Sequence, residues 1–231
     1  MKKILSIMLV MLSSAAFSQE ILLEQNVSAD TVRPAKGPNL THYIHGYAGV
    51  GFPLVTNGIG SYCKPGASST FDIGMRYKRK LTNHFAFGLD LAAYFTAYKL
   101  KQEQGKSVPD TILNIREKIQ VNTAAASAYF RINAGRRGNY IGNYLDLGAY
   151  GGWNMVKKHK TTNENADGEK VKVLTGKLKY VENFSYGLMA RLGISRYALT
   201  ARYRLSDIFT ASYQMPELPR LVVGLEVGLF R

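Results

Sequence analysis

Few groups in this 231-residue chain can do acid, base or metal chemistry: four histidines, one cysteine and sixteen carboxylates. His42 and His45 lie three apart in a segment that reads as a strand. A strand sends positions i and i+3 to opposite faces, so the two rings cannot share a metal ion. His84 falls in a short turn, and His159 stands among Lys157, Lys158 and Lys160 in a long connection. Nucleophilic catalysis needs a hydroxyl or thiol within hydrogen-bond reach of a base. Only His159 lies on the side where a lipid-modifying barrel enzyme would hold its base, and its lysine neighbours mark a solvated loop. Gly148, Gly151 and Gly152 precede no helix, so they cradle no phosphate and read as room for large neighbours. Cys63 has no partner for a disulfide and reads as a loop thiol. No catalytic residue, cofactor or metal is expected, and the chain is expected not to be an enzyme; an outer-leaflet lipid-modifying enzyme is the alternative.

A second set of charges recurs with a period of two. Asp72, Arg76, Asp90, Arg131, Asp146, Arg191, Arg202, Arg204 and Glu226 alternate with apolar residues and share their face with glycine, alanine and serine. A water-facing surface has little need of so many small residues, whereas the inside of an eight-stranded barrel is just wide enough to be filled by side chains. Charges placed there must pair, because an unpaired buried charge costs several kcal/mol. The nine residues are therefore expected to form a salt-bridged network in a barrel lumen. A narrow pore is the alternative use of the same charges, and a soluble periplasmic barrel or sandwich with its charged face outward is the alternative fold.

The elements that position these groups are strands. The clearest is a hairpin over Phe184–Leu205, in which Phe184, Tyr186, Leu188, Ala190, Leu192 and Ile194 alternate with small or charged residues. A two-residue turn at Ser195-Arg196 then pairs Ile194 with Tyr197, Leu192 with Leu199 and Leu188 with Tyr203, so that both apolar stripes share one face. The same alternation predicts strands over His42–Leu54, Thr70–Leu81, Phe85–Tyr98, Ile119–Asn133, Tyr140–Val156 and Leu221–Phe230. That makes eight with the hairpin. Long and short connections alternate strictly, as in bacterial outer-membrane barrels, and the strands suit a tilted membrane crossing of ~9 to 11 residues. The expectation is an all-β protein, an eight-stranded antiparallel up-and-down transmembrane β-barrel over residues 41–231. Tyr94, Tyr98, Trp153, Tyr186, Tyr203 and Phe209 fall toward strand ends and are expected in aromatic girdles.

Residues 1–18 carry Lys2 and Lys3, an apolar run from Ile4 to Leu12 and Ala16-Phe17-Ser18 as a cleavage site, the pattern of a secretory signal peptide. Residues 19–40, with Pro34, Gly37 and Pro38, read as a flexible periplasmic leader. The full chain has 30 Lys+Arg against 16 Asp+Glu, a net charge of +14. In an exported chain that surplus points to lipid phosphates rather than to nucleic acid. It is densest in the connection holding Lys157, Lys158, Lys160, Lys170, Lys172, Lys177 and Lys179, where Lys170 and Lys172 alternate with Val171 and Val173. This stretch is the candidate surface for lipopolysaccharide or an acidic partner, and part of it is expected to be strand extending beyond the membrane.

The segments YALTARYRLSDIF (Tyr197–Phe209) and LDLGAYGGW (Leu145–Trp153), with Gln19 directly after the signal peptide, resemble the PorT-like outer-membrane β-barrel proteins of Bacteroidota. The resemblance implies an eight-stranded barrel in the cell outer membrane. It also implies a link, in some members, to a protein secretion system. One departure is the end of the chain, where Arg231 follows Phe230 although such barrels often finish on an aromatic residue. The function expected is a structural or interaction module, accessory to protein secretion or envelope assembly, with outer-membrane lipid and an envelope or secretion protein as partners.

Overall fold

The computed structural model describes residues 37–56, 58–64, 66–135, 140–165 and 168–229. The expected signal peptide, most of the leader, and Phe230 and Arg231 lie outside the described residues. Nine strands are present: β1 (His42–Leu54), β2 (Ser69–Lys80), β3 (Phe85–Lys99), β4 (Arg116–Ala134), β5 (Asn143–Glu164), β6 (Lys170–Gly176), β7 (Phe184–Ile194), β8 (Tyr197–Arg204) and β9 (Leu221–Leu229). Each of β1 to β5 pairs antiparallel with the next, β5 pairs with β7, and β7 with β8 and β8 with β9. Pairing of β9 with β1 closes the sheet into a ring of eight. The ninth strand, β6, pairs with the far end of β5 and stands outside the ring.

The connections at 81–84, 135–142 and 195–196 lie at the end of the ring where β1 begins and β9 finishes; the longer ones lie at the other end. Turn chemistry is local. Thr82 Oγ1 accepts from the backbone N–H groups of His84 (3.2 Å) and Phe85 (3.0 Å). Ser195 takes φ +55°, which lets a two-residue turn match the strand twist without the usual glycine. The hairpin register is the expected one, with Ile194 opposite Tyr197, Leu192 opposite Leu199 and Leu188 opposite Tyr203.

The two faces of the ring are inverted relative to a water-soluble sheet. In β3, Leu91 is 67% exposed while its neighbour Asp90 is 2% exposed, and the alternation runs through every strand of the ring. Arg76, Arg131, Asp90 and Asp146 are among the most buried side chains among the described residues. A smaller apolar cluster of Ile141, Tyr144 and Ala198 lies near the short turns; the larger one lies at the long-connection end, where Cys63, Tyr98, Leu100, Val108, Ile119, Val121, Leu178, Val181, Ile208, Phe209 and Leu218 pack together. Burial among them pushes the Cys63 thiol up to about 12, so the residue is a packing group of this end rather than a loose loop thiol.

Several expectations are corrected. Strand β4 begins earlier and β5 runs later than expected, because both continue beyond the ring as a three-stranded extension with β6, while β5 starts at Asn143 rather than Tyr140. Tyr94, Tyr98 and Phe209 are buried, not in a girdle; Tyr94 and Tyr98 share parity with Asp90, and Phe209 belongs to the apolar end core. Trp153, Tyr186 and Tyr203 do face outward. Inside β5 the register shifts at Asn122/Thr123: Asn122 faces Val156 and Thr123 faces Asn154, which leaves Met155 as the extra residue of a bulge.

Candidate functional site

The interior charges meet because each sits at an inward position of its strand and the ring brings those positions together. Arg76 and Asp90 are register neighbours on β2 and β3, as are Arg131 and Asp146 on β4 and β5, and Asp146 and Arg191 on β5 and β7. Arg131 grips Asp146 through Nε (2.6 Å) and Nη2 (2.8 Å), and Arg191 Nη1 donates to the same carboxylate at 3.0 Å. Arg191 also reaches across the bore to Asp90. Arg76 binds Asp90 at 3.0 Å and Glu226 at 2.7 Å. Three guanidiniums and three carboxylates thus form one continuous, charge-balanced chain from Arg131 to Glu226. Beside it Arg202 makes a two-pronged pair with Asp72, both contacts 2.9 Å. Arg204 is also buried but pairs with Glu217 of the β8–β9 connection at 2.7 Å, and so belongs to the end cap rather than to the central chain.

Tyrosines complete the network, and the charge alternation by itself does not reveal their part. Arg76 lies over the Tyr47 ring at 4.2 Å, Arg131 over Tyr144 at 3.6 Å, Arg191 over Tyr129 at 4.9 Å and Arg202 over Tyr94 at 3.9 Å. Such contacts stabilise desolvated cations by about 2 kcal/mol each. Each of three rings lies across a glycine directly opposite on the next strand: Tyr47 over Gly74, Tyr129 over Gly88 and Tyr144 over Gly193. Their signal in the sequence is parity, since Tyr129 and Tyr144 each stand two residues from a network charge. A cavity of about 60 Å³ between Tyr94, Tyr98, Arg202 and Arg204 separates the charges from the apolar end core.

The other histidines and the basic connection fall elsewhere. The rings of His42 and His45 are on opposite faces, one exposed and one buried. His84 is exposed in the β2–β3 turn. His159 is not in a solvated loop: the bulge turns it inward, where Nε2 lies 2.7 Å from Glu117 Oε1. Among the described residues no hydroxyl bonds to its ring, and no three histidine, cysteine or acidic side chains are grouped as a metal site would need.

Glu117 is a hub that the expected strand boundary at Ile119 missed, although the inward parity of Val121 and Ile119 runs on to it. Its carboxylate accepts from Gln102 (2.8 Å), Asn114 (3.0 Å) and Lys106 (2.5 Å) as well as meeting His159. Lys106 in turn holds the Ile112 carbonyl at 2.6 Å. The 100–115 connection is therefore folded around one acid, beyond the outward apolar positions of β4. Burial pushes the Glu117 carboxyl up, but its four donors outweigh that and hold it at about 2. A carboxyl lowered from its ordinary value near 4.5 stabilises the fold above that value and loses the contribution as pH falls through about 2. Glu117→Gln is expected to cost on the order of 2 kcal/mol at neutral pH. It is also expected to flatten the acid dependence of hydrogen exchange in the 100–115 connection between pH 4.5 and 2; an unchanged profile would show that the carboxylate does not hold the connection.

Of the expected binding lysines, Lys157, Lys158 and Lys160 lie on β5 and Lys170 and Lys172 on β6, with Lys177 and Lys179 just after it. Lys157 is tied to the Val181 carbonyl (2.8 Å) and to Asn183 (2.7 Å), and Lys170 stands opposite Glu164. Lys158, Lys160, Lys170 and Lys172 share one face of the extension by register, and Lys157 has the opposite parity.

Compared with protein-family models, curated proteins and solved structures, the chain matches none.

Proposed function

We propose that the chain is an outer-membrane β-barrel that acts as a structural or interaction module with a plugged lumen. The observation that carries this reading is the inversion of the ring: its outward positions are apolar and exposed while arginines, aspartates and a glutamate fill its inside. In water an outer surface of this kind would be an association hazard; against hydrocarbon it is the low-energy side. The dimensions agree. Outward residues of β3 are apolar from Phe85 to Phe95, a run of ~33 Å along the strand, which a tilt near 40° converts to a band about 25 Å tall. The long connections would then face outward and the short turns the periplasm.

A filled bore supports a plug over a conduit. Its charges neutralise one another, and the gap beside them is of the size of a few waters. The likeness of Tyr197–Phe209 and Leu145–Trp153 to PorT-like proteins supports a role accessory to protein secretion or envelope assembly.

Because a closed ring leaves no unpaired edge, the folded protein is expected to stay intact in sodium dodecyl sulfate until heated. Unheated and boiled samples should migrate as separate bands, and the unheated band should come from the outer-membrane fraction. A single band common to both would sink the membrane reading. Crosslinking in detergent-solubilised outer membranes tests the accessory role, with a defined envelope protein as the expected adduct.

A further inference from the structure

Beyond the ring, the bulge at Met155 reverses the alternation of β5. Asn154 faces inward before it; after it His159 faces inward, so Lys158 and Lys160 point outward. Lys160 thereby comes opposite Lys118 on β4, and Lys118 opposite Lys99 on β3. Three ammonium groups stand in one row across three strands. In the next row Arg116 faces Thr162, which faces Lys172 on β6. Lys64 joins them where its backbone N–H donates to the Lys99 carbonyl at 2.8 Å. Together these residues enclose a cleft of about 520 Å³ with Leu100 at its apolar side.

Among the described residues the carboxylate that lines the cleft, Glu117, is already held by Lys106 and His159. None of the six cations makes an ion pair there, whereas Lys170 on the same extension faces Glu164. Like charges directly opposite on neighbouring strands are destabilising. Burial lowers the Lys118 ammonium pKa, and Lys160 and Lys99 lower it further, so the lysines act on one another. An anion in the cleft would relieve all of these costs together.

Resting on the membrane reading above, we infer that the cleft binds the phosphorylated headgroup of an outer-leaflet lipid. Its height fits. Lys99 lies four residues past Phe95, the last large outward apolar residue of β3, or ~13 Å along the strand, which sets the ammonium row where headgroup phosphates begin. Lysines engage phosphate as point charges, so the contact is salt-sensitive and tolerant of headgroup detail.

The test titrates the full-length protein, folded in zwitterionic detergent, with diphosphoryl lipid A in mixed micelles. The Lys99→Gln/Lys118→Gln/Lys160→Gln variant should bind on the order of 10- to 100-fold more weakly, from the worth of each interfacial lysine. Arg79→Gln/Lys80→Gln/Arg196→Gln, at the opposite end of the ring, should change binding by less than about twofold, since those charges lie beyond screening range. Dephosphorylated lipid A should bind poorly to the parent, and added salt should weaken the phosphorylated complex. Equal binding by parent and cleft variant, or by lipid A with and without phosphate, would overturn the inference. Inorganic pyrophosphate binding as tightly as the lipid would overturn it in favour of a free-phosphate site. The heat-shifted band is read in the same samples, so a cleft that fails while the band persists leaves the membrane reading standing.

Discussion

Asp146→Leu is expected to destabilise the folded ring by about 3 to 5 kcal/mol, the cost of stranding a buried partner charge. Among the described residues Asp146 is the only carboxylate that Arg131 meets and one of two that Arg191 holds at 3.0 Å or closer. Removing it leaves Arg131, 1% exposed, with no counter-ion, and cuts it off from the rest of the charge-balanced chain. Little room is left for solvent to compensate: the cavity that Arg202 lines holds only about 60 Å³. The contrast is the isolated Asp72–Arg202 pair: Asp72→Leu with Arg202→Leu removes both charges at once and should cost less than either change alone. Urea unfolding of the folded protein, followed through the single tryptophan, Trp153, reads both experiments. An Asp146→Leu midpoint equal to the parent's would mean that water reaches Arg131, and the plugged lumen would be wrong.

Gly88→Val is the second large effect, and its sign discriminates between two roles for the inward glycines. If Gly88 were tolerated only as a flexible small residue, valine would stabilise the strand through its β propensity. The geometry requires the opposite. A side chain on Gly88 would run into the Tyr129 ring. That ring donates its hydroxyl to the Tyr77 carbonyl at 3.2 Å and faces Arg131 and Arg191 at 5.5 and 4.9 Å. Overpacking there should cost ~1 to 3 kcal/mol. Combining it with Tyr129→Ala, which vacates the space, should cost less than the sum of the two single changes, with a coupling of ~0.5 to 3 kcal/mol. Additive losses would show that ring and glycine do not form a unit.

What could be read from the chain by itself is what depends on local alternation. A period of two sorts Asp90 from Leu91 and Arg131 from Phe130 without knowledge of any neighbour, and it holds through each run of the ring. The count of eight ring strands, the alternation of long and short connections, and the Ser195-Arg196 register follow from the same local pattern, because a two-residue turn leaves only one way to keep Leu192 and Leu199 on a common face. Parity likewise placed Tyr129 and Tyr144 inside, and it placed Tyr94 inside too, against the expectation of a girdle drawn from strand ends.

The tertiary structure decided which charges meet. Arg191 and Asp90 are 101 residues apart, Arg202 and Asp72 130, and Arg76 and Glu226 150; closure of the ring selects these partners, and many other acid–arginine pairings satisfy the same alternation. It also sent Arg204 to Glu217 in a connection, a choice made by how 205–220 folds back over the bore. Above all it placed one extra residue at Met155. A bulge is a property of two strands in register, not of one strand's sequence, and a constant period through β5 would turn His159 outward and Lys160 inward. That single unpaired residue brings His159 to Glu117 and lines Lys160 up with Lys118 and Lys99, because beyond it every side chain of β5 changes face.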